Sequence, residues 1–133
     1  MDIREGVRRM GRKPVRPIGT CFDSVADWVA WRPNPPEDFR ICHGIGISNF
    51  PGIEGKEIGH AWLEWSGRAF DTTWGLRLSA ESYRRQLKLR YCVEYRRPEF
   101  IEHWLKHDFT GPWDPIISKV VDRLEKELGQ GEG

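Results

Sequence analysis

The stretch GHAWLEWSGRAFDTTWG, residues 59–75, carries a histidine at the head of one predicted strand and an aspartate in the next strand. The residues between the two strands, 66–67, are Ser-Gly, which is typical of a two-residue hairpin loop. Side chains alternate between the two faces of a sheet, so this register places His60 and Asp71 on one face as diagonal neighbours. We expect the imidazole and the carboxylate to lie within hydrogen-bonding reach.

A carboxylate bonded to one imidazole nitrogen fixes the tautomer and leaves the other nitrogen to serve a nucleophile. Ser24 and Ser48 are possible nucleophiles, but Cys21 is the stronger candidate. Apolar residues at helical spacing predict a helix over residues 21–31, which begins at this cysteine. The unpaired N–H groups and positive dipole end of a helix N-terminus stabilise a thiolate and can hold an oxyanion.

Three segments together resemble a known family: GTCFDSVADWV (19–29), RICHGIGI (40–47) and the hairpin of residues 59–75. They are similar to the core of the transglutaminase-like branch of the papain-like cysteine peptidase and acyltransferase superfamily. The H-A-W-x-E strand followed by a D-x-T context is the most specific part of the resemblance. It covers about residues 18–75 and does not extend to residues 76–133.

The resemblance implies that Cys21 is the nucleophile, His60 the base and acid, and Asp71 the orienting residue of a catalytic triad. It also implies a minimal papain-like or transglutaminase-like core. Many family members place an oxyanion-stabilising glutamine or tryptophan upstream of the cysteine, and the 20 residues before Cys21 contain neither. The side chain that would complete an oxyanion hole is therefore not identified from the sequence.

Three further residues are candidates for substrate contacts or for support of the triad. Trp62 and Trp74 are expected to pack beneath the site, with a cleft wall as the alternative. His43 lies on the apolar face of its predicted strand, where it could approach Cys21 as a rival base or a substrate contact. We favour a packing or supporting role for His43.

We expect no metal and no cofactor. His103 and His107 are four positions apart on a predicted helix, a spacing that permits metal binding, but no nearby carboxylate or thiol completes a ligand set. A metal site made of Cys21, His60, Asp71 and His43 would need isolated ligands, because none of them forms a C-x-x-C or H-x-x-x-H pair.

The order of predicted elements is typical of an α+β fold, with the N-terminal catalytic helix packed on a mostly antiparallel sheet. Strands are predicted over residues 39–48, 58–65, 68–73 and 87–95, and a short helix after the cap Ser79. Two C-terminal helices are predicted to begin near Pro98 and at Asp114-Pro115. An apolar stripe on the last helix is expected to pack on the core or on another protein: Ile116, Ile117, Val120, Val121, Leu124 and Leu128.

The length of 133 residues suits one domain, 1–133, and no apolar run approaches the ~18 residues that cross a bilayer. We therefore expect a soluble, cytoplasmic protein without membrane contact. Nothing in the N-terminal residues resembles a secretory signal peptide, and three cysteines do not suggest a disulfide framework.

The formal net charge of +1 gives no general attraction to nucleic acid, so we do not expect a nucleic-acid partner. Residues 1–17 carry six basic side chains against two acidic ones. This basic arm is expected to be a solvated, flexible terminus, with contact to an acidic partner as the alternative.

Two functions follow from these observations. The first is a thiol-dependent hydrolase or acyltransferase that acts on an amide, isopeptide or related acyl bond of a peptide, a protein or a small amide. The second is a catalytically inactive protein-binding module or inhibitor on the same scaffold. In the second case the contacts would be made by the basic arm or by tryptophans: Trp28, Trp31, Trp104 and Trp113.

Overall fold

A computed structural model describes residues 20–131 of the chain, so the basic arm of residues 1–17 lies outside the described residues. The described residues form an α+β fold of four helices and one five-stranded sheet, as predicted. In chain order the elements are α1 (Cys21–Ala30), β1 (Arg40–Ile47), β2 (Glu57–Trp65), β3 (Arg68–Asp71), β4 (Leu76–Ser79), α2 (Ala80–Leu87), β5 (Tyr91–Tyr95), α3 (Arg97–His107) and α4 (Pro115–Gly131).

The strand order in the sheet is β4-β3-β2-β1-β5, and every neighbouring pair is antiparallel. The β2–β3 hairpin has the predicted register, since Trp65 pairs with Arg68 and Leu63 with Phe70. The two-residue loop is made possible by positive φ angles of 52° at Ser66 and 72° at Gly67. The hairpin that carries His60 and Asp71 is thus confirmed.

Helices and loops cover both faces of the sheet. One face buries Ile41 and Ile45 against α1, α3 and α4, and the other buries Cys42 and Trp62 against α2 and the β1–β2 loop. The segment RICHGIGI therefore alternates between two cores, which explains why nearly every residue of β1 is buried. No helix within residues 20–131 is both long and apolar enough to cross a membrane.

Two predicted strands have different bounds in the structure. The strand predicted to reach Thr73 ends at Asp71, because the Asp71 carboxylate accepts the N–H groups of Thr73 and Trp74 and its carbonyl accepts that of Gly75. These bonds turn the chain. The turn leads into β4, which was not predicted.

The strand predicted from residue 87 begins only at Tyr91. Residues up to Leu87 continue α2, and Lys88 ends that helix in the left-handed conformation with a φ of 53°. The alternation of apolar and basic residues in LKLR (87–90) therefore predicted a strand where the structure has the end of a helix and a connection. The predicted helix starts are confirmed: Ser79 caps α2 through Ser82 N–H, and Asp114 accepts the N–H groups of Ile116 and Ile117 at the start of α4.

The apolar stripe of α4 is divided between the core and the surface. Ile117 and Val120 are buried, whereas Ile116 and Leu128 are about half exposed. Leu124 lies between these groups and lines a cavity described below.

Candidate active site

His60 and Asp71 form the hydrogen bond expected from the hairpin register. His60 Nε2 donates to Asp71 Oδ2 at 2.9 Å, and both side chains are buried. The last paired residues of β2 and β3 are Leu63 and Phe70, so β3 parts from β2 before it reaches the level of His60. The separation leaves this edge of β2 accessible to the N-terminus of α1.

Cys21 is the first residue of α1 and is 4% exposed. Cys21 and His60 line one small cavity, described below, and interaction with Cys21 contributes to the raised pKa of His60. Nε2 of the imidazole donates to Asp71, so Nδ1 is the nitrogen that can interact with the Cys21 thiol. As the first helical residue, Cys21 also contributes a backbone N–H that has no acceptor within the helix.

The electrostatics of the site favour a charged His60. Burial lowers the pKa of His60, but the negative charges of Cys21 and Asp71 outweigh burial and raise it to about 10. Burial likewise raises the pKa of Asp71, but the positive charge of His60 and the hydrogen bonds that Asp71 accepts hold it below the ordinary 3.8. At neutral pH His60 is therefore an imidazolium bonded to the Asp71 carboxylate.

Tyr83 is a member of the site that the sequence did not indicate. Its hydroxyl donates to Asp71 Oδ2 at 2.8 Å, from a side chain that is 1% exposed. Burial and the adjacent carboxylate raise the pKa of Tyr83 well above its ordinary value, so the hydroxyl keeps its proton and remains a donor. Tyr83 lies on α2, beyond the hairpin, and no local sequence pattern predicts its contact with Asp71.

Ser24 and Ser48, the alternative nucleophiles, have structural roles. Ser24 Oγ donates to Thr72 Oγ1 at 2.7 Å, which links α1 to the turn that follows Asp71. Ser48 Oγ accepts the N–H of Phe50 at 2.9 Å in the β1–β2 loop. Neither serine has a hydrogen bond to His60 among the bonds of the described residues.

Trp62 contacts the imidazole directly, whereas Trp74 packs on Phe50, which in turn contacts His60. Trp62 is fully buried, with its ring nearly parallel to that of His60 at 6.4 Å and its Nε1 donating to Glu64. Trp74 is 3% exposed and packs against Phe50, with ring centroids 5.1 Å apart. Both therefore support the site from within the core.

His43 does not reach the Cys21–His60 pair. It pairs with Ala61 across β1 and β2, so it projects from the face opposite to that of His60. It is fully buried among aromatic rings, with centroids 4.8 Å from Phe22 and 5.2 Å from Tyr95, and neither ring nitrogen has a hydrogen-bond partner among the described residues. This position favours the packing role over a substrate contact.

Burial lowers the pKa of His43 to about 3, so this histidine is neutral at physiological pH. The environment of its imidazole thus differs from that of His60, which is bonded to the Asp71 carboxylate.

One group of metal-ligand side chains lies elsewhere in the described part of the chain. The ligand atoms of Cys42, Glu64 and Glu94 lie within 4.8 Å of one another. Both carboxylates already bind the guanidinium groups of Arg40 and Arg84, at 2.6–3.3 Å. These ion pairs neutralise the carboxylates, so the group is better described as a charged cluster than as a metal centre.

A cavity of about 60 Å³ adjoins the Cys21 and His60 side chains. Its other lining residues come from the β1–β2 loop, β2, the turn after β3, and α4: Phe50, Ile53, Ile58, Gly59, Thr73 and Leu124. The Thr73 hydroxyl is buried and has no hydrogen-bond partner among the described residues. Cys21 and His60 thus lie in the wall of a small, mainly apolar cavity.

No protein-family model, curated protein or solved structure matches this chain. The functional interpretation therefore depends on the geometry of the site and on the motif resemblance of residues 18–75.

Proposed function

We propose that this protein is a thiol-dependent hydrolase or acyltransferase that acts on an amide, isopeptide or related acyl bond. Cys21 would be the nucleophile, His60 the general base and acid, and Asp71 the residue that orients the imidazole. The observation that carries the proposal is the buried His60–Asp71 hydrogen bond beside a cysteine at a helix N-terminus, with Cys21 and His60 lining the same cavity. Its substrates would be peptides, proteins or small amides.

In the first half of the reaction, the Cys21 thiolate attacks the carbonyl carbon and a C–S bond forms. The Cys21 backbone N–H, at the N-terminus of α1, would donate to the developing oxyanion. The imidazolium of His60 gives its proton to the leaving nitrogen, the C–N bond breaks, and the amine departs. The acyl group remains on the sulfur as a thioester.

In the second half, water or a second amine attacks the thioester carbon. His60 accepts a proton from this attacking group and becomes an imidazolium again, while the C–S bond breaks and its electron pair restores the thiolate. Hydrolysis and acyl transfer therefore require the same three side chains. They differ only in the acceptor that reaches the thioester.

Alkylation by iodoacetamide, quantified separately at each cysteine by peptide mass spectrometry, tests the proposal. A free thiol with a pKa of ~8.5 is only about 1% ionised at pH 6.5. We expect Cys21 to react far faster than a free thiol at this pH and to lose most of this advantage in His60→Ala. Asp71→Asn is expected to reduce the rate as well, because it removes the charge that stabilises the imidazolium.

His107→Ala is the matched control, since His107 is exposed on α3 and should leave the rate at Cys21 unchanged. N-acetylcysteine in the same sample serves as the free-thiol reference, because Cys42 is fully buried. A pH profile at Cys21 that follows a free thiol and is insensitive to His60→Ala would remove the basis of the enzyme proposal.

The second candidate function, a binding module with an inactive triad, is favoured by one observation. Trp31 is 78% exposed at the end of α1, beside a groove of about 340 Å³ that Trp28 and Phe70 also line. This function predicts three cysteines of ordinary reactivity. The alkylation experiment therefore distinguishes the two candidates.

A further inference from the structure

The cavity beside Cys21 and His60 has walls from two parts of the chain that are distant in sequence. Phe50 and Ile53 belong to the β1–β2 loop, and Leu124 belongs to α4. Neither part lies in the hairpin that supplies His60 and Asp71. Part of the cavity wall can therefore be changed without altering the reacting groups.

The loop wall is held by several hydrogen bonds. Ser48 N–H donates to the Lys56 carbonyl at 2.8 Å, and Gly55 N–H donates to the Ser48 carbonyl at 2.9 Å, which closes the loop on itself. Asn49 Nδ2 donates to the Gln86 carbonyl at 3.2 Å and fixes the loop to the end of α2. Phe50 and Ile53 are 5% and 8% exposed, so they form part of the core as well as the wall.

The size and chemistry of the cavity restrict what it can hold. A single water needs about 10–15 Å³ of such space, so 60 Å³ accommodates roughly four to six non-hydrogen atoms. The walls are mainly aliphatic and aromatic, and Thr73 adds one buried hydroxyl without a partner. Because an unpaired buried hydroxyl is unfavourable, a polar atom of a bound substrate beside an apolar group would improve the site.

We propose that this cavity binds a short aliphatic side chain carried by the acyl part of the substrate, next to the carbonyl that Cys21 attacks. This inference rests on the proposed function. A chain of about five carbons fills the space, whereas a single methyl group leaves most of it empty and a long linear chain exceeds it. Phe50, Ile53 and Leu124 would thus determine which acyl groups react.

Acylation of Cys21 by p-nitrophenyl esters tests the proposal directly. The thiolate attacks the ester carbon, the C–S bond forms, the C–O bond breaks and p-nitrophenolate departs with the electron pair, so no further reactant is needed. The acetate, 4-methylpentanoate and octanoate esters are compared in single-turnover reactions. Each rate is divided by the rate of the same ester with N-acetylcysteine, and mass spectrometry verifies the thioester on Cys21.

We expect the 4-methylpentanoate ester to acylate Cys21 roughly tenfold faster than either of the other two, since one methylene in an apolar pocket changes a rate by about tenfold or more. Ile53→Ala enlarges the cavity and should shift the preference toward octanoate. Leu124→Trp fills the cavity from α4 and should slow 4-methylpentanoate while sparing acetate. Leu128→Trp, at a 43% exposed position on the same helix, should leave the order of rates unchanged.

Equal corrected rates for the three esters, a rate that rises steadily with chain length in every variant, or no acylation by any ester would overturn the pocket proposal. Iodoacetamide labelling of Cys21, compared with His60→Ala, decides the proposed function separately. Fast, His60-dependent labelling without selectivity among the esters would reject the pocket alone. Since Leu124 is on a helix and Ile53 on a loop, a folding failure of one variant leaves the other as the test.

Discussion

Asp71 accepts four hydrogen bonds, two at each carboxylate oxygen. One oxygen accepts His60 Nε2 and the Tyr83 hydroxyl, and the other accepts the N–H groups of Thr73 and Trp74. The two backbone bonds come from the turn that Asp71 itself begins. A single residue thus both ends β3 and orients the imidazole, so substitutions of Asp71 affect the turn and the site together.

Tyr83→Phe separates these two roles, because it removes one hydrogen bond to Asp71 and leaves the turn intact. A hydrogen bond to a charged group contributes about 1.5–3 kcal/mol, so we expect the free energy of unfolding to fall by about that amount. We also expect slower alkylation of Cys21, since Asp71 loses part of its support. Urea denaturation and peptide-resolved alkylation measure the two effects.

Tyr91→Phe is the control for Tyr83→Phe. It removes a comparable bond, from Tyr91 to Asp114 at 2.7 Å, in a partly buried position away from Cys21. A loss of stability without any change at Cys21 is expected there. If Tyr83→Phe gave the same result as Tyr91→Phe, Tyr83 would have no part in the site.

His43 predicts a dependence of stability on pH. Its pKa is 6.5 when unfolded and about 3 in the fold, so the unfolded state binds the additional proton as the pH falls below 6.5. The fold therefore loses stability between pH 6.5 and 3, by about 2 kcal/mol at pH 5. His43→Leu should remove this part of the loss in urea denaturation at pH 7.5 and pH 5.

His107→Leu, at an exposed position, should show the same dependence of stability on pH as the parent protein. An identical fall in stability for the parent and His43→Leu would show that His43 is protonated within the fold.

At the scale of elements, the β2–β3 hairpin was the most predictable part of the chain. Its register depends only on a two-residue loop and on alternation, both of which are local properties of residues 59–75. The bounds of β3 and the existence of β4 were not predictable, because they depend on hydrogen bonds made by the Asp71 carboxylate. The Tyr83 contact likewise requires the packing of α2 against the sheet, which no local pattern describes.

The close packing of β1 against the end of α2 predicts that this contact does not tolerate a larger residue. A Cβ atom added at Gly46 would lie 2.3 Å from the Leu87 carbonyl oxygen, a backbone atom that cannot easily move. We expect Gly46→Ala to destabilise the fold by roughly 1–3 kcal/mol in urea denaturation.

Gly129→Ala is the matched substitution, because nothing lies within 4 Å of the added atom on α4. Gly129→Ala should instead raise the free energy of unfolding by roughly 0.5–1 kcal/mol, because alanine has a higher helix propensity than glycine. Equal effects of the two substitutions would contradict the close contact between β1 and α2.

At the scale of the whole molecule, a charged cluster on one face of the sheet links strands β1, β2 and β5 to α2. Glu64 is 1% exposed and accepts two hydrogen bonds from Arg84, at 2.8 and 3.0 Å, while Glu94 binds the same guanidinium at 2.6 Å. The cluster connects α2 to β2 and β5. The sequence did not indicate it, because charged residues on strands and helices are more often solvated than paired.

Arg84→Met should destabilise the protein by about 3–5 kcal/mol, because it leaves a buried carboxylate without its main partner. Adding Glu64→Gln should restore part of the loss, since the remaining side chain is neutral. Arg85→Met, in an exposed pair with Glu81, should change stability by less than about 1 kcal/mol. Urea denaturation of the parent, Arg84→Met, Glu64→Gln, the double variant and Arg85→Met measures the comparison, and additive effects of Arg84→Met and Glu64→Gln would show that the two residues are not coupled.

The separation of Cys21 from the hairpin also has a consequence during synthesis on the ribosome. The helix with the thiol emerges first, whereas His60, Asp71 and finally Tyr83 follow from later segments. A nascent chain therefore exposes a sulfhydryl before its base has emerged, and the cavity is complete only after Leu124 of α4 has left the exit tunnel. Under the proposed function, reactivity toward acyl groups would arise only after the sheet has formed, so an unfinished chain would not acylate itself or its neighbours.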